Sequence, residues 1–273
     1  MSYTTLWEVP DGLWERITEL LPKEKPAGSP GRPALPNRRV FNGILYVLRT
    51  GCQWKSLKKE WFGASSSIHS RFQEWNKAGL WKKMHRMMVK YYQKKRHIQW
   101  RWESIDSKLV PAPLGGELTG PNPTDRGKRG SKRHILVDGR GAPLGVIVTA
   151  ANDHDITCAL KVVHSTIVPR PKTVYRVHHL CADKAYDSEP FRRKLLKRHF
   201  RPHIPKREYA SQDPAPQSTS PHYPARRWVV ERTLSWQNDF RSLRVRWAKK
   251  PDNWLGLIYL ACAFVLWNMC SRA

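Results

Sequence analysis

SKRHILVDGRGAPLGVIVTA, residues 131–150, decides the fold. Two apolar runs flank Asp138-Gly139, and Asp-Gly between such runs is a strong hairpin signal. Upstream, WRWESIDSKLV (100–110) alternates like a strand. Downstream, NDHDITCALKVVHSTI (152–167) opens on capping residues and continues as a helix. HHLCADKAYD (178–187) is an apolar strand ending in acids, SEPFRRKLLKRH (188–199) a helix, and FRPHIPK (200–206) a short strand. YPARRWVVERTLSWQNDFRSLR (223–244) reads as a helix, and an apolar helix over 254–270 follows. The class is therefore α/β. Three antiparallel strands followed by right-handed crossovers put the fourth strand parallel to the first and beside it. Sites form at such a switch point. Asp106 lies on the first strand and Asp183 at the end of the fourth, and Glu231, on a later helix, can reach the same edge.

The first hundred residues read as helices. GLWERITELL (12–21) is short and amphipathic, and the Pro/Gly-rich joint 22–36 cannot be regular structure. NRRVFNGILYVLRTG (37–51) carries Phe41, Ile44, Leu45 and Leu48 at helical spacing, with Gly51 as a stop. The serines of GASSS offer an N-cap for a helix in which Ile68, Phe72 and Trp75 share a face, and a basic amphipathic helix runs from Leu80 to Lys95. Two helices joined by a short turn, the second presenting Ser67, His69 and Arg71 outward, suit a helix-turn-helix. A plain helical bundle with a solvated basic face reads equally from these residues. The expected division is a helical DNA-binding domain over 1–96 and a catalytic domain over 97–273.

Charge narrows the partners. Lys plus Arg total 49 against 22 Asp plus Glu, a formal net charge of +27 spread along all 273 residues, so the folded body should attract polyanions. Thirteen Trp argue for a packed protein rather than a disordered basic tail. Five scattered Cys without a CxxC pair exclude a disulfide scaffold or zinc site and suit a reducing cytoplasm. The N-terminus lacks a signal-peptide plan, and the apolar run from Trp254 to Trp267 falls short of the ~20 residues a bilayer span needs. A buried helix in a cytoplasmic protein is expected.

In so basic a chain, concentrated carboxylates point to divalent cations held against captured phosphates. Mg²⁺ prefers oxygen ligands, and two ions need one bridging and two flanking carboxylates. Each acid has a plainer reading. Asp106 can pair with a surface cation, and Asp183 competes with Asp187, whose place before SEP suits a helix cap. Glu231 can pair with Arg227, although basic-before-acidic is the weaker order. Asp138 reads as a turn residue, while Asp153 and Asp155 cap the next helix and stand in reserve. The Pro/Gly-rich loop 111–130 has the length of a functional loop. Its basic run, Arg126, Lys128, Arg129, Lys132 and Arg133, reads as a DNA-phosphate contact or as a solvated face. Trp228 and Trp236 read as core, with one of them stacking on a displaced base as the lesser alternative, and residues 207–221 as mobile.

Three blocks in order, GPNPTDRGKRGSKRHILVDGRGAPLG, ADKAYDS and RRWVVERTLSWQNDFRSLRVRW, make the chain resemble bacterial insertion-sequence transposases of the DDE type, in the group of insertion sequence five. The stretch through WFGASSSIHSRFQEWNKAGLW resembles the helical region that opens those proteins. The resemblance implies a ribonuclease-H-like mixed sheet flanked by helices, preceded by a helix-turn-helix-like region. It implies two Mg²⁺ or Mn²⁺ ions and recognition of terminal inverted repeats in double-stranded DNA. Strand cleavage would free 3′-hydroxyls for joining to target DNA, within a dimer or larger assembly. Asp106, Asp183 and Glu231 match the family's catalytic, metal-binding acids, and Arg227 its phosphate-binding arginine. Ala185 stands where glycine is common, Tyr223 is one position from its usual spacing, and Asn238 replaces a lysine for which Arg241 or Arg244 could substitute. Two other functions suit the composition: a domesticated, non-catalytic DNA-binding protein, and an RNA-binding structural protein supported by charge alone.

Overall fold

The computed structural model describes residues 7–23, 34–171, 177–206 and 226–271; Tyr223, most of the 22–36 joint and the 207–221 stretch lie outside these. The first elements are α1 (Asp11–Thr18), α2 (Asn37–Thr50), α3 (Lys59–Phe62), α4 (Ser65–Lys77) and α5 (Leu80–Arg96). The strands are β1 (Trp102–Pro111), β2 (Gly120–Pro121), β3 (Arg129–Asp138), β4 (Pro143–Ala150), β5 (His178–Cys181) and β6 (Phe200–His203). Between and after them come α6 (Asp155–His164), α7 (Glu189–Leu196), α8 (Trp228–Asn238) and α9 (Pro251–Ser271).

The sheet order confirms the expected switch point. β3 lies antiparallel between β4 and β1, and β5 then β6 continue the sheet parallel to β1. Trp102 is in register with His179 and Ser104 with Cys181, so β1 and β5 run side by side. β2 extends the β4 edge by pairing Gly120 with Gly130. This is the ribonuclease-H-like mixed sheet with flanking helices. The first four residues of β1 are buried without alternation, because a central strand is covered on both faces.

The hairpin turn forms as read, and its acid is an anchor. Buried Asp138 accepts from the backbone N–H groups of Arg140 (2.9 Å), Ala142 (2.8 Å) and Gln99 (3.0 Å). At Gly141, with φ +87°, a Cβ would stand 2.7 Å from Thr233 Oγ1, so only glycine lets α8 approach the turn. The Thr233 hydroxyl donates to the Gly141 carbonyl at 2.7 Å, which fixes α8 across the sheet.

One hydrophobic core runs from α1 to α9. The final helix has 21 residues and is long and apolar enough to cross a membrane, yet 61% of its most apolar window is buried within the protein. It is a core helix packed with α5. Within α5, buried His85 donates from Nε2 to the Pro143 carbonyl at 2.8 Å, joining the helical region to β4.

The long loop before β3 is ordered by a single buried cation. Arg246 donates to the carbonyls of Glu117 (2.6 Å), Leu118 (3.0 Å), Ala248 (2.9 Å) and Lys249 (2.9 Å) and to Ser131 Oγ (2.7 Å). Asn122 Oδ1 receives the Thr124 N–H (3.0 Å) and hydroxyl (2.9 Å), closing the loop's tip.

Several sequence expectations need correction. All three GASSS serines lie within α4, and no side chain caps that helix; Ala64 is the N-cap. Neither Asp153 nor Asp155 caps α6, whose N-cap is His154. Asp153 Oδ2 takes the Ala150 N–H at 3.1 Å, while Asp155 pairs with Lys132 at 3.0 Å and accepts from Ser107 Oγ at 3.1 Å. Asp187 does not cap α7 but pairs with Arg192 at 2.8 Å. Trp228 is 56% exposed rather than core.

Candidate active site

Asp106 sits near the middle of β1, opposite Ile135 on β3, with Oδ1 accepting the Ser107 N–H at 2.8 Å. Asp183 follows β5 and opens a short 3-10 turn, where its Oδ1 accepts from the Lys184 N–H at 2.5 Å. Glu231 lies in the first turn of α8. The topology has therefore brought all three acids to one side of the β1–β5 junction.

Arg227 joins two of them. Its Nη1 donates to Asp183 Oδ1 and its Nε to Glu231 Oε1, both at 2.9 Å. The weaker helical order argues against an Arg227–Glu231 pair, but the pair forms because the same guanidinium also grips Asp183. All three groups are partly exposed, so the network is solvent-screened and contributes little to stability. Asp106 makes no ion pair with Arg227. Burial chiefly pushes its carboxyl up to about 6, with the nearby charges of Asp183 and Glu231 adding to the shift. The Ser107 N–H and the Arg227 charge oppose it.

An all-carboxylate set suits hard divalent cations, and a cation would relieve the repulsion felt at Asp106. The residues fit such an ion in the chemistry of their donors. They do not form a ready-made cage: among the described residues no three His, Cys, Asp or Glu side chains stand together closely enough to hold a metal. The Arg227 guanidinium occupies the gap between Asp183 and Glu231.

The basic run divides. Arg126, Lys128 and Arg129 are exposed on the loop and at the start of β3, as phosphate contact requires. Lys132 and Arg133 point inward, which corrects the reading of both as DNA contacts. Lys132 donates to the Asp153 carbonyl (2.7 Å) and pairs with Asp155; Arg133, 1% exposed, donates to the Leu243 carbonyl (2.6 Å) and Asn238 Oδ1 (2.7 Å). Asn238, which stands where the family has a lysine, is thus the anchor of a buried arginine. Arg241 and Arg244 are exposed nearby, and Arg244 donates to the Asn238 carbonyl at 2.6 Å.

In the helical region, Ser67 is exposed on α4. His69 and Arg71 are less available than a fully outward face would make them. His69 is half-buried and stacks on Trp54 with centroids 4.8 Å apart, and burial lowers its pKa. Arg71 donates to Asn37 Oδ1 at 2.8 Å.

Sequence reasoning missed Glu103. This carboxylate, fully buried three residues before Asp106, receives Arg170 through two bonds of 2.8 and 2.6 Å. A charge inside an otherwise apolar strand start was the available signal.

The mixed sheet and the carboxylates beside its switch point are those expected of a DDE-type enzyme. Residues 104–266 match the family model "Transposase DDE domain", and the chain belongs to that family. Residues 9–85 match the model described as "Putative transposase of IS4/5 family". The chain is 39% identical over 181 residues to "Putative transposase for insertion sequence element IS402" of Burkholderia cepacia, covering 62% of this chain and 76% of that one. It is 32% identical over 118 residues to "Insertion element IS402 uncharacterized 16.2 kDa protein" of the same organism, over 42% of this chain and 80% of the relative. A similar solved structure is the "mariner Mos1 paired end complex with Mg", at 11% identity and a TM-score of 0.32, over 97% of this chain and 88% of that one. The protein is a DNA transposase of the bacterial insertion-sequence type.

Proposed function

We propose that the chain cleaves DNA at the ends of its element and joins the freed 3′-hydroxyls to target DNA, with Asp106, Asp183 and Glu231 holding two divalent cations, Mg²⁺ or Mn²⁺. The supporting observation is the convergence of Asp106, on β1, and Asp183, just past the end of the adjacent parallel β5, with Glu231 bonded to Asp183 through Arg227. Bound there, the cations supply Lewis-acid stabilisation of the attacking and leaving oxygens. Asp106 is the most confined of the three and fixes the position of the shared ligand. Asp183, rooted in the 3-10 turn, orients toward it from the next strand, and Glu231 completes the set from α8.

Arg227 can exchange a carboxylate for a phosphate oxygen, because a guanidinium matches either bidentately. It then holds the scissile phosphate against the acids. Arg126, Lys128 and Arg129 contact the duplex backbone, and the exposed face of α4 around Ser67, with His69 and Arg71 at its margin, belongs to the DNA-binding helical region over 1–96. Synapsis of two element ends calls for a homodimer or larger assembly on DNA. The working compartment is the nucleoid of the bacterial cytoplasm.

Cleavage of a duplex carrying the gene's flanking inverted repeat, with Mg²⁺, tests this. Asp183→Asn should cut at least about a hundredfold more slowly than wild type, the scale of losing one electrostatic stabiliser at a reacting centre. Equal cutting by both proteins would sink the assignment. Binding with no cutting by either, with Mn²⁺ also supplied, would favour the non-catalytic binder.

A further inference from the structure

A cavity of about 780 Å³ opens beside α8, between the hairpin turn, the ends of α2 and α5, and α9. Arg49, Arg96, Arg140, Arg232 and Arg241 all line it. Asp239 is the one carboxylate among the lining residues, and none of the five arginines forms an ion pair among the described residues.

Five like charges gathered around a single carboxylate are costly, and two of these groups are also partly withdrawn from water. The Nε atoms of Arg49 and Arg232 are buried and have no hydrogen-bond partner. Burial lowers the pKa of Arg49, whose guanidinium lies over the Phe264 ring at 5.5 Å. Arg232 lies 4.7 Å from the Trp236 ring centre and donates to the Arg140 carbonyl at 2.8 Å. Both guanidinium groups thus have a fixed mount. A multiply charged anion would offset the gathered positive charge.

Size and walls narrow the anion. The volume falls within the roughly 300–1,000 Å³ of pockets that enclose a molecule of drug size, so it admits nucleotide units and not a duplex. Trp7 and Trp236 supply aromatic walls on which a base can stack. Glu231 precedes Arg232 on α8, so the helix that brings the third acid to the active site also lines the cavity.

We infer that this cavity binds one or two nucleotides of an unpaired nucleic-acid strand, with the phosphates on the arginines and a base against Trp236 or Trp7. A free nucleotide offers the same chemistry, so the test must separate the two sources. The binding itself does not depend on the cleavage chemistry.

The probe is a fluorescent, 5′-phosphorylated trithymidylate carrying one 5-iodouracil, bound to the full chain in EDTA, where cleavage is not being read. Arg49→Gln and Arg241→Gln should each weaken binding about tenfold. Each should also reduce the slope of log affinity against log salt by about 0.7, the single-strand value per neutralised phosphate. Irradiation should crosslink Trp236 or Trp7. Should Arg49→Gln fail to fold, exposed Arg241 carries the test alone. Unchanged affinity and salt slope, or crosslinks confined to residues 122–129, would overturn the inference. Inorganic phosphate competing as well as the trinucleotide would overturn its base-binding part. Competition by the trinucleotide but not by ATP assigns the site to a strand; equal competition by ATP assigns it to a free nucleotide.

Discussion

Arg129 and Arg133 stand on the same strand, yet they occupy different worlds. Arg129 is exposed at the start of β3 beside Arg126 and Lys128, whereas Arg133 is buried against the Leu243 carbonyl and Asn238. Lys132 likewise belongs to Asp155. In a chain of net charge +27, the number of cations says little about how many can meet DNA. What separates them is whether the protein already supplies their acceptors. Interior cations hold strands, loop and helices together, whereas the loop cations stay in solvent, Lys128 in a 3.7 Å surface pair with Asp125.

The sharpest way to break this contrast is on the interior side. Arg170→Ala strands the buried Glu103 carboxylate, and thermal or denaturant unfolding should show a loss of about 3–5 kcal/mol. A loss below about 1 kcal/mol would mean that the buried pair is not a structural anchor.

Next in size is a pH effect from the same buried class. Burial pulls His85 down to about 4, its hydrogen bond to Pro143 offsetting only part of the shift. Between the ordinary histidine value of about 6.5 and that level, the unfolded chain binds a proton that the folded chain refuses. Stability is therefore intact above about pH 6.5 and declines as pH falls toward 4, by on the order of 2–3 kcal/mol from this group. Urea unfolding of wild type and His85→Gln at several pH values should show a flatter acid limb for the variant.

The smallest stability effect belongs to the loop. Arg126→Ala, Lys128→Ala and Arg129→Ala together should leave the melting temperature within about 2–4 °C of wild type. Duplex binding should weaken, with the salt slope falling by about one for each phosphate that the variant no longer neutralises. A slope that does not move would place the grip on the DNA backbone elsewhere.

The same contrast explains what the sequence made legible. Strand order and the meeting of Asp106 with Asp183 followed from crossover handedness and period-two patterning, which are properties of the backbone. The inward turn of Lys132 and Arg133 was hidden, because their neighbours' average charge makes a solvated face the default reading. Arg227 was misjudged for a related reason: helix spacing considers Glu231 alone, while Asp183 arrives from another strand. The GASSS serines resembled caps, but the chain enters α4 before all three of them, at Ala64. The arginine-lined cavity draws on segments from Trp7 to Met269, and no local pattern records that assembly.

Arg246 carries a consequence for recognition. By gripping Glu117, Leu118 and Ser131 together with the chain before α9, it turns a long glycine-rich loop into a mounted part of the frame. An unanchored loop would have to surrender its conformational freedom when a partner arrived, at a cost in affinity. Here that ordering belongs to folding, so the exposed cations at the loop's tip stand as a template with fixed spacing rather than on a flexible tether.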